Sequence, residues 1–197
     1  MTTEKNTSIS SKHAEAVNYR NVQLLTFLLD GEVYGADIIQ VQEVLEYRKV
    51  TPVPRMPEFL LGVINLRGQV VAVVDLRRQF GMDVMDITVN TCIVIVDVQL
   101  EGESVALGLL ADAVKEVIEL EGNNICAPPR IGSRINAHFI SGMGKHNDDF
   151  IIILDLPKVL ADDDLNQAIE TMSDARLRPF LIRKAITICQ TLMRFLH

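Results

Sequence analysis

Apolar residues along this chain come in short runs, separated by Gly, Pro, Asp and Asn. That pattern reads as strands and tight turns rather than long helices. Leu24–Leu29 is apolar and ends at Asp30-Gly31, two residues that tolerate positive φ. The pair predicts a hairpin with Glu32–Asp37 as the returning strand. Val41–Tyr47 predicts the next strand. A loop with Pro52, Pro54 and Pro57 follows, where fixed φ and missing N–H donors end a ladder. Phe59–Leu61 is expected to form a brief helical turn. Val63–Leu66 and Val70–Val74 then flank Arg67-Gly68-Gln69, a second hairpin whose turn conformation Gly68 supplies. Asp75 is placed to cap a short helix through about Phe80, because its carboxylate can accept the free N–H groups of the first turn. Gly81 would end that helix.

The same order begins again near Thr91. Thr91–Val98, Ser104–Leu109 and Val114–Glu119 read as strands, with a turn at Glu101-Gly102. After a loop at Cys126–Arg130 come Phe139–Met143 and Phe150–Leu154, and then Asp155 before a helical stretch, Leu156–Leu160. Val41-Gln-Glu-Val-Leu-Glu46 resembles Val114-Lys-Glu-Val-Ile-Glu119. Phe59 and Gly62 have the spacing of Phe139 and Gly142, and both glycines lead by the same interval to an Asp-Leu pair. The chain therefore reads as two similar β units of about five short strands each. Sheets of that size curl to bury one face and hide their edges.

The two ends differ from this pattern. Residues 1–21 are polar and lack apolar periodicity, which predicts a flexible tail. From Asp162-Asp163-Asp164 a helical stretch is expected through about Met172. The chain then turns basic, with Arg176, Arg178, Arg183, Lys184 and Arg194. At helical spacing Leu177, Leu181, Ala185, Ile188, Leu192 and Phe195 share a face, so residues 162–197 read as a helical extension ending in an amphipathic helix. Such a helix packs on its own domain, on a partner or on a membrane surface.

Composition narrows the function. Aromatic residues make up 5% of the chain and Trp is absent, so aliphatic side chains build the core. A net charge of −7 opposes general nucleic-acid binding, which needs a basic surface to displace counterions. Cys92, Cys126 and Cys189 form no Cys-x-x-Cys pair, and Cys92, inside an apolar run, reads as a buried free thiol. With no signal-peptide pattern and no apolar stretch of membrane-spanning length, a cytoplasmic location is expected.

The residues suggest no catalytic constellation. His13, His138, His146 and His197 make no metal-ligand pair. Ser141-Gly142-Met143-Gly144 lacks the Lys-Ser/Thr of a phosphate loop. No cofactor, metal site or enzymatic activity is expected. The sharper feature is Gly62-Val-Ile-Asn-Leu-Arg-Gly68, which puts Asn65 and Arg67 at a hairpin turn. These two either stabilise the turn alone or offer a partner the guanidinium's fork of donors.

The run Pro57-Glu-Phe-Leu-Leu-Gly-Val-Ile-Asn-Leu-Arg-Gly-Gln-Val-Val-Ala-Val-Val-Asp-Leu76 resembles the central motif of the CheW family of chemotaxis coupling proteins. Leu25-Thr-Phe27, Val41-Gln-Glu-Val44, Phe80-Gly81, Pro128-Pro129 and Phe139-Ile-Ser-Gly-Met-Gly144 extend the likeness across roughly residues 22–161. The resemblance implies an all-β fold of two five-stranded SH3-like β-barrel subdomains. Their expected extents are residues 22–85 with part of 145–161, and residues 86–145. It also implies an adaptor, joining the cytoplasmic tip of methyl-accepting chemoreceptors to the regulatory domain of a CheA-type histidine kinase in receptor arrays. It implies no cofactor, no nucleic acid, and a membrane reached only through receptors. Carried over by position, Arg67 lies near the receptor-facing surface, with Asn65 and Gly68 holding its turn. Val41 and Glu43 lie on or beside a partner surface, and Ile38, Cys92 and Ile93 are candidate contact neighbours. Apolar strand residues among these are core candidates as well.

Two other readings fit less of the chain. A CheW-like adaptor of a non-motility pathway would share the domain. An oligonucleotide-binding barrel would need a basic groove with stacking aromatics, which the acidic, aromatic-poor chain does not suggest.

Overall fold

A computed structural model describes residues 19–54, 56–100, 102–128, 135–147 and 149–160, and these described residues form eleven strands and two short α-helices. The expected helical extension beyond Ala161 and the tail before Tyr19 lie outside these residues. The strands are β1 (Val22–Leu29), β2 (Glu32–Asp37), β3 (Val41–Glu46), β4 (Leu60–Leu66), β5 (Gln69–Asp75), β6 (Cys92–Leu100), β7 (Glu103–Ala111), β8 (Ala113–Leu120), β9 (Ile125–Cys126), β10 (Ile140–His146) and β11 (Asp149–Leu154). Helix α1 is Leu76–Gln79 and α2 is Leu156–Leu160. The turns form where the sequence places them. Asp30 and Gly31 have φ of 52° and 79°, and Arg67 and Gly68 have φ of 50° and 91°. Positive φ at both central residues is the type I′ geometry that matches strand twist.

The strands form two sheets, one in the order β8-β1-β2-β11-β10-β9 and the other in the order β3-β6-β7-β5-β4. Strand for strand, β8-β1-β2-β11-β10 corresponds to β3-β6-β7-β5-β4. In each, an antiparallel hairpin joins the rest of its sheet through a parallel pair, β2 with β11 and β7 with β5. The caps repeat too. Asp75 N donates to Phe59 O at 2.7 Å, and Asp155 N donates to Phe139 O at 2.9 Å. A bulge interrupts the ladder at Leu60/Gly62 and again at Ile140/Gly142. The repeat seen in the sequence is thus a repeat of structure.

Its division into lobes differs from the expected one. The first sheet is built from residues 22–37 and 113–154, and the second from residues 41–111. The two units exchange their leading hairpins: β1-β2 pairs with strands of the second unit, and β6-β7 with strands of the first. The short connections cause the exchange. A single 3-10 turn, Ile38–Gln40, carries the chain out of one sheet into the other, and Asp112 alone separates β7 from β8. The expected helical turn at Phe59–Leu61 is also corrected, since Leu60 and Leu61 begin β4.

The exchange lets one hairpin line two cores. Alternate residues of β6 face opposite ways: Val94, Val96 and Val98 enter a central core shared with Leu25, Phe27 and Leu29 of β1. Ile93 and Ile95 enter a separate core with Ile64, Leu66, Val71 and Val73. The first sheet has its own inner core of Leu24, Ile118, Leu120, Ile125, Ile151 and Ile153. A strand covered on both faces needs apolar residues throughout, which is why β6 is unbroken apolar from Cys92 to Val96; alternation returns at Asp97 and Gln99, where one face opens to solvent. Each fully buried Leu or Phe contributes roughly 2–3 kcal/mol relative to exposure.

Candidate functional site

The β4-β5 turn gathers three of the residues singled out by the motif. Asn65 Oδ1 accepts a hydrogen bond from Gly68 N at 2.8 Å, which fixes the turn from its side. Gly68 supplies the positive φ at no steric cost, and a Cβ there would meet nothing within 4 Å. Between them Arg67 projects its side chain, 80% exposed, and its Nη2 lies 3.0 Å from Glu43 Oε2.

That ion pair also describes the sheet. β3, which carries Glu43, and β4 are the two outermost strands of their sheet. Four flat strand spacings would separate them by about 19 Å. A direct contact between the Arg67 turn and Glu43 therefore shows that the sheet curls enough to bring that turn to β3, as in an SH3-like fold, while the edge strands β3 and β4 do not pair. Exposed as it is, the pair adds little to stability, on the order of 0–1 kcal/mol. It holds the arginine against Glu43, which is half-buried and alternates along β3 with the exposed Gln42, Val44 and Glu46. Gln42 Nε2 donates to Asp97 on β6, which steadies this edge.

The remaining candidates divide by burial. Val41 and Ile38 are half-buried and pack against the central core, so each offers part of its side chain to the surface. Ile39, beside them, is 88% exposed. Asp37 Oδ1 accepts from Ile39 N at 3.0 Å and caps the 3-10 turn that displays it. Ile93 is fully buried in the second sheet's inner core, and Cys92 is buried in the central one. The position of β6 between two cores explains both, and it removes these side chains from the outer surface. Burial is also the main reason the Cys92 thiol is pushed up from its ordinary pKa; the nearby Asp112 carboxylate adds to the rise, and a backbone hydrogen bond at Val114 opposes it.

A second polar cluster escaped the sequence. Arg77 on α1 is buried, yet each of its guanidinium nitrogens has an acceptor. Nε donates to Asp112 Oδ1 at 2.8 Å and Nη2 to Asp112 Oδ2 at 2.6 Å. Nη1 donates to Asp83 O at 3.0 Å and reaches Asp30 Oδ1 at 3.4 Å. Asp112 Oδ2 also accepts from Asp30 N at 2.8 Å. The Asp112 hydrogen bond is the largest influence raising the Arg77 pKa, and it outweighs the opposing cost of burial. The cluster ties α1 of one unit to the β1-β2 turn and to the crossover residue between the sheets. It is structural, and no local pattern announced it, because its partners lie 35 and 47 residues away.

Comparison with known proteins agrees with this architecture. The family model described as "CheW-like domain" matches residues 23–164. A chemotaxis protein CheW of Klebsiella aerogenes is 31% identical over 143 residues, covering 73% of this chain and 84% of that protein. A chemotaxis protein CheW of Treponema pallidum is 29% identical over 152 residues, covering 77% of this chain and 89% of that protein. Among solved structures, the scaffolding protein TtCheW from Thermoanaerobacter tengcongensis is similar, with a TM-score of 0.65 and 36% identity. That match covers 73% of this chain and 94% of the other.

Proposed function

The chain belongs to the CheW-like domain family, and from that premise we propose that it is a chemotaxis signal-transduction adaptor that couples receptors to a histidine kinase by scaffolding. The observation that carries the reading is the domain match across residues 23–164, which takes in both sheets and the Arg67 turn. Relatives that share most of their length with this chain are named for chemotaxis, and one is titled a scaffolding protein.

The finer assignment concerns partners and surfaces. The kinase partner is a CheA-type regulatory domain, and the receptor partner is the cytoplasmic tip of a methyl-accepting chemoreceptor. The protein works among receptor arrays in the cytoplasm. Arg67 contacts one partner, with Asn65 and Gly68 fixing the angle at which it is presented and Glu43 limiting its motion. Val41 and Glu43 on β3, with Ile38 on the 3-10 turn before it, contribute to an adjoining partner surface. An exposed guanidinium on a rigid turn suits a carboxylate or a row of carbonyls.

Simultaneous binding gives the mechanism. Holding receptor and kinase on one molecule raises the effective concentration of each for the other. Signal passes when the receptor's two states bind the assembly unequally and so shift the kinase population. No covalent chemistry on this chain is needed.

The test is reconstitution of receptor-stimulated kinase activity with the Arg67→Glu variant. The reading expects stimulation to fall at least fivefold while the variant's urea melt stays unchanged. Full stimulation by a folded variant would remove Arg67 from the interface.

A further inference from the structure

The loop from Met82 to Asn90 is ordered by polar contacts and exposes its apolar side chains. Arg77 Nη1 donates to Asp83 O at 3.0 Å, and Arg77 Nη2 lies 3.5 Å from Met85 Sδ. Met82 N donates to Arg77 O at 2.8 Å. At the far end, Thr88 N donates to Thr91 Oγ1 at 2.9 Å. Held at both ends, the loop leaves Val84 63%, Ile87 45% and Val89 99% exposed. Hydrophobic residues scattered singly on a surface need no explanation, but several on one anchored loop mark a surface made to be covered.

The chain carries a segment suited to cover it. Helix α2 ends beside the start of this loop, with Gln79 Nε2 donating to Val159 O at 3.3 Å. Gln79 is three residues before Met82, so residues 161–197 leave the described fold next to the exposed patch. The sixteen residue steps from Leu160 to Arg176 span about 24 Å even if wholly helical. Beyond Asp174 there is no acidic residue, while Arg176, Arg178, Arg183, Lys184 and Arg194 are basic. The loop carries Asp83 and Asp86, both exposed, and no basic residue. Leu181, Ala185, Ile188, Leu192 and Phe195 fall on one side of a helix, and Pro179 is suited to its first turn.

We infer that residues 176–197 dock as an amphipathic helix on the 82–90 loop of the same chain, with the apolar face over Val84, Ile87 and Val89 and the basic residues toward Asp83 and Asp86. The seven residues of β5 separate α1 from the Arg67 turn by about 20 Å. The extension then seals an apolar patch that would otherwise promote association between copies.

The test places a photoreactive phenylalanine analogue at position 89 of the full chain, where the native side chain is almost fully exposed. Illumination at low micromolar concentration should give a product of monomer mass, with the cross-link mapped by mass spectrometry to residues 176–197. The Leu181→Asp/Leu192→Asp double substitution should reduce that product at least tenfold without moving the urea midpoint of the domain. Asp83→Lys/Asp86→Lys, which keeps the apolar contacts, should reduce it by a smaller factor. Cross-links between two chains would assign the loop to a second copy and overturn the inference. Absence of a cross-link, with flotation of the full chain on anionic phosphatidylglycerol vesicles, would assign the segment to a membrane surface and overturn it equally.

Discussion

Arg77 grips Asp112 through two parallel hydrogen bonds, Nε to Oδ1 at 2.8 Å and Nη2 to Oδ2 at 2.6 Å. The two residues belong to different events in the chain. Arg77 lies on the helix that closes one β unit, and Asp112 is the single residue at which the backbone passes from the second sheet to the first. The pair therefore fixes the crossover that makes the two sheets exchange hairpins. Because Asp112 also accepts Asp30 N, the β1-β2 turn is drawn into the same knot.

Removing the arginine should be costly. Arg77→Met leaves Asp112 facing Asp30 across a partly buried gap without its cation. A loss of about 3 kcal/mol is expected, the size typical of breaking one side of a buried pair. Arg77→Lys keeps the charge but not the fork, and should lose less. Urea denaturation of the two variants beside the parent checks both. A midpoint for Arg77→Met equal to the parent's would show that the cluster is idle.

Glycine is required at Gly62 for a reason the turn glycines do not share. A Cβ there would lie 2.1 Å from Thr51 O, which is paired with Val63 in both directions at 2.9 Å. The residue also has φ of 138°. Gly62→Ala should cost about 3 kcal/mol or prevent folding. Gly68→Ala, with open space around it but positive φ, should cost about 1 kcal/mol. Thermal melts of the pair should rank them in that order.

The cysteines should separate by reactivity. Cys126 is exposed, whereas Cys92 is buried and its thiol is pushed up by burial and by the Asp112 carboxylate. A raised thiol pKa means less thiolate at neutral pH, and the thiolate is the nucleophile. Iodoacetamide at pH 7.5 should alkylate the peptide with Cys126 in the native protein. The Cys92 peptide should be labelled only in urea, as peptide mass spectrometry will report. Equal labelling of both in the native state would contradict the burial of β6.

Much of this architecture is legible in the sequence, for local reasons. Asp30, Gly31 and Gly68 adopt the positive φ their residue types suggested, whereas Arg67 adopts it although its residue type does not favour it, and Asp75 caps α1 through Arg77 N at 3.0 Å. The family resemblance carried by residues 57–76 also holds, since the CheW-like domain matches residues 23–164. What the sequence conceals is pairing between distant segments. Similar β units look alike whether or not they exchange hairpins, so the lobe boundary fell in the wrong place. Ile93 resembles a surface candidate by position alone, because alternation cannot reveal a strand covered on both faces. Arg77, followed on its short helix by the polar Arg78 and Gln79, gives no sign of the carboxylates that fold around it.

Binding of this chain to a CheA-type regulatory domain from the same organism, measured by titration calorimetry, decides whether it is an adaptor. Saturable one-to-one binding at low micromolar concentration is expected, with affinity reduced at least tenfold by Glu43→Arg or by Val44→Glu, an exposed position on the same strand. No heat at high micromolar concentration would contradict the adaptor reading and leave this fold serving a different partner.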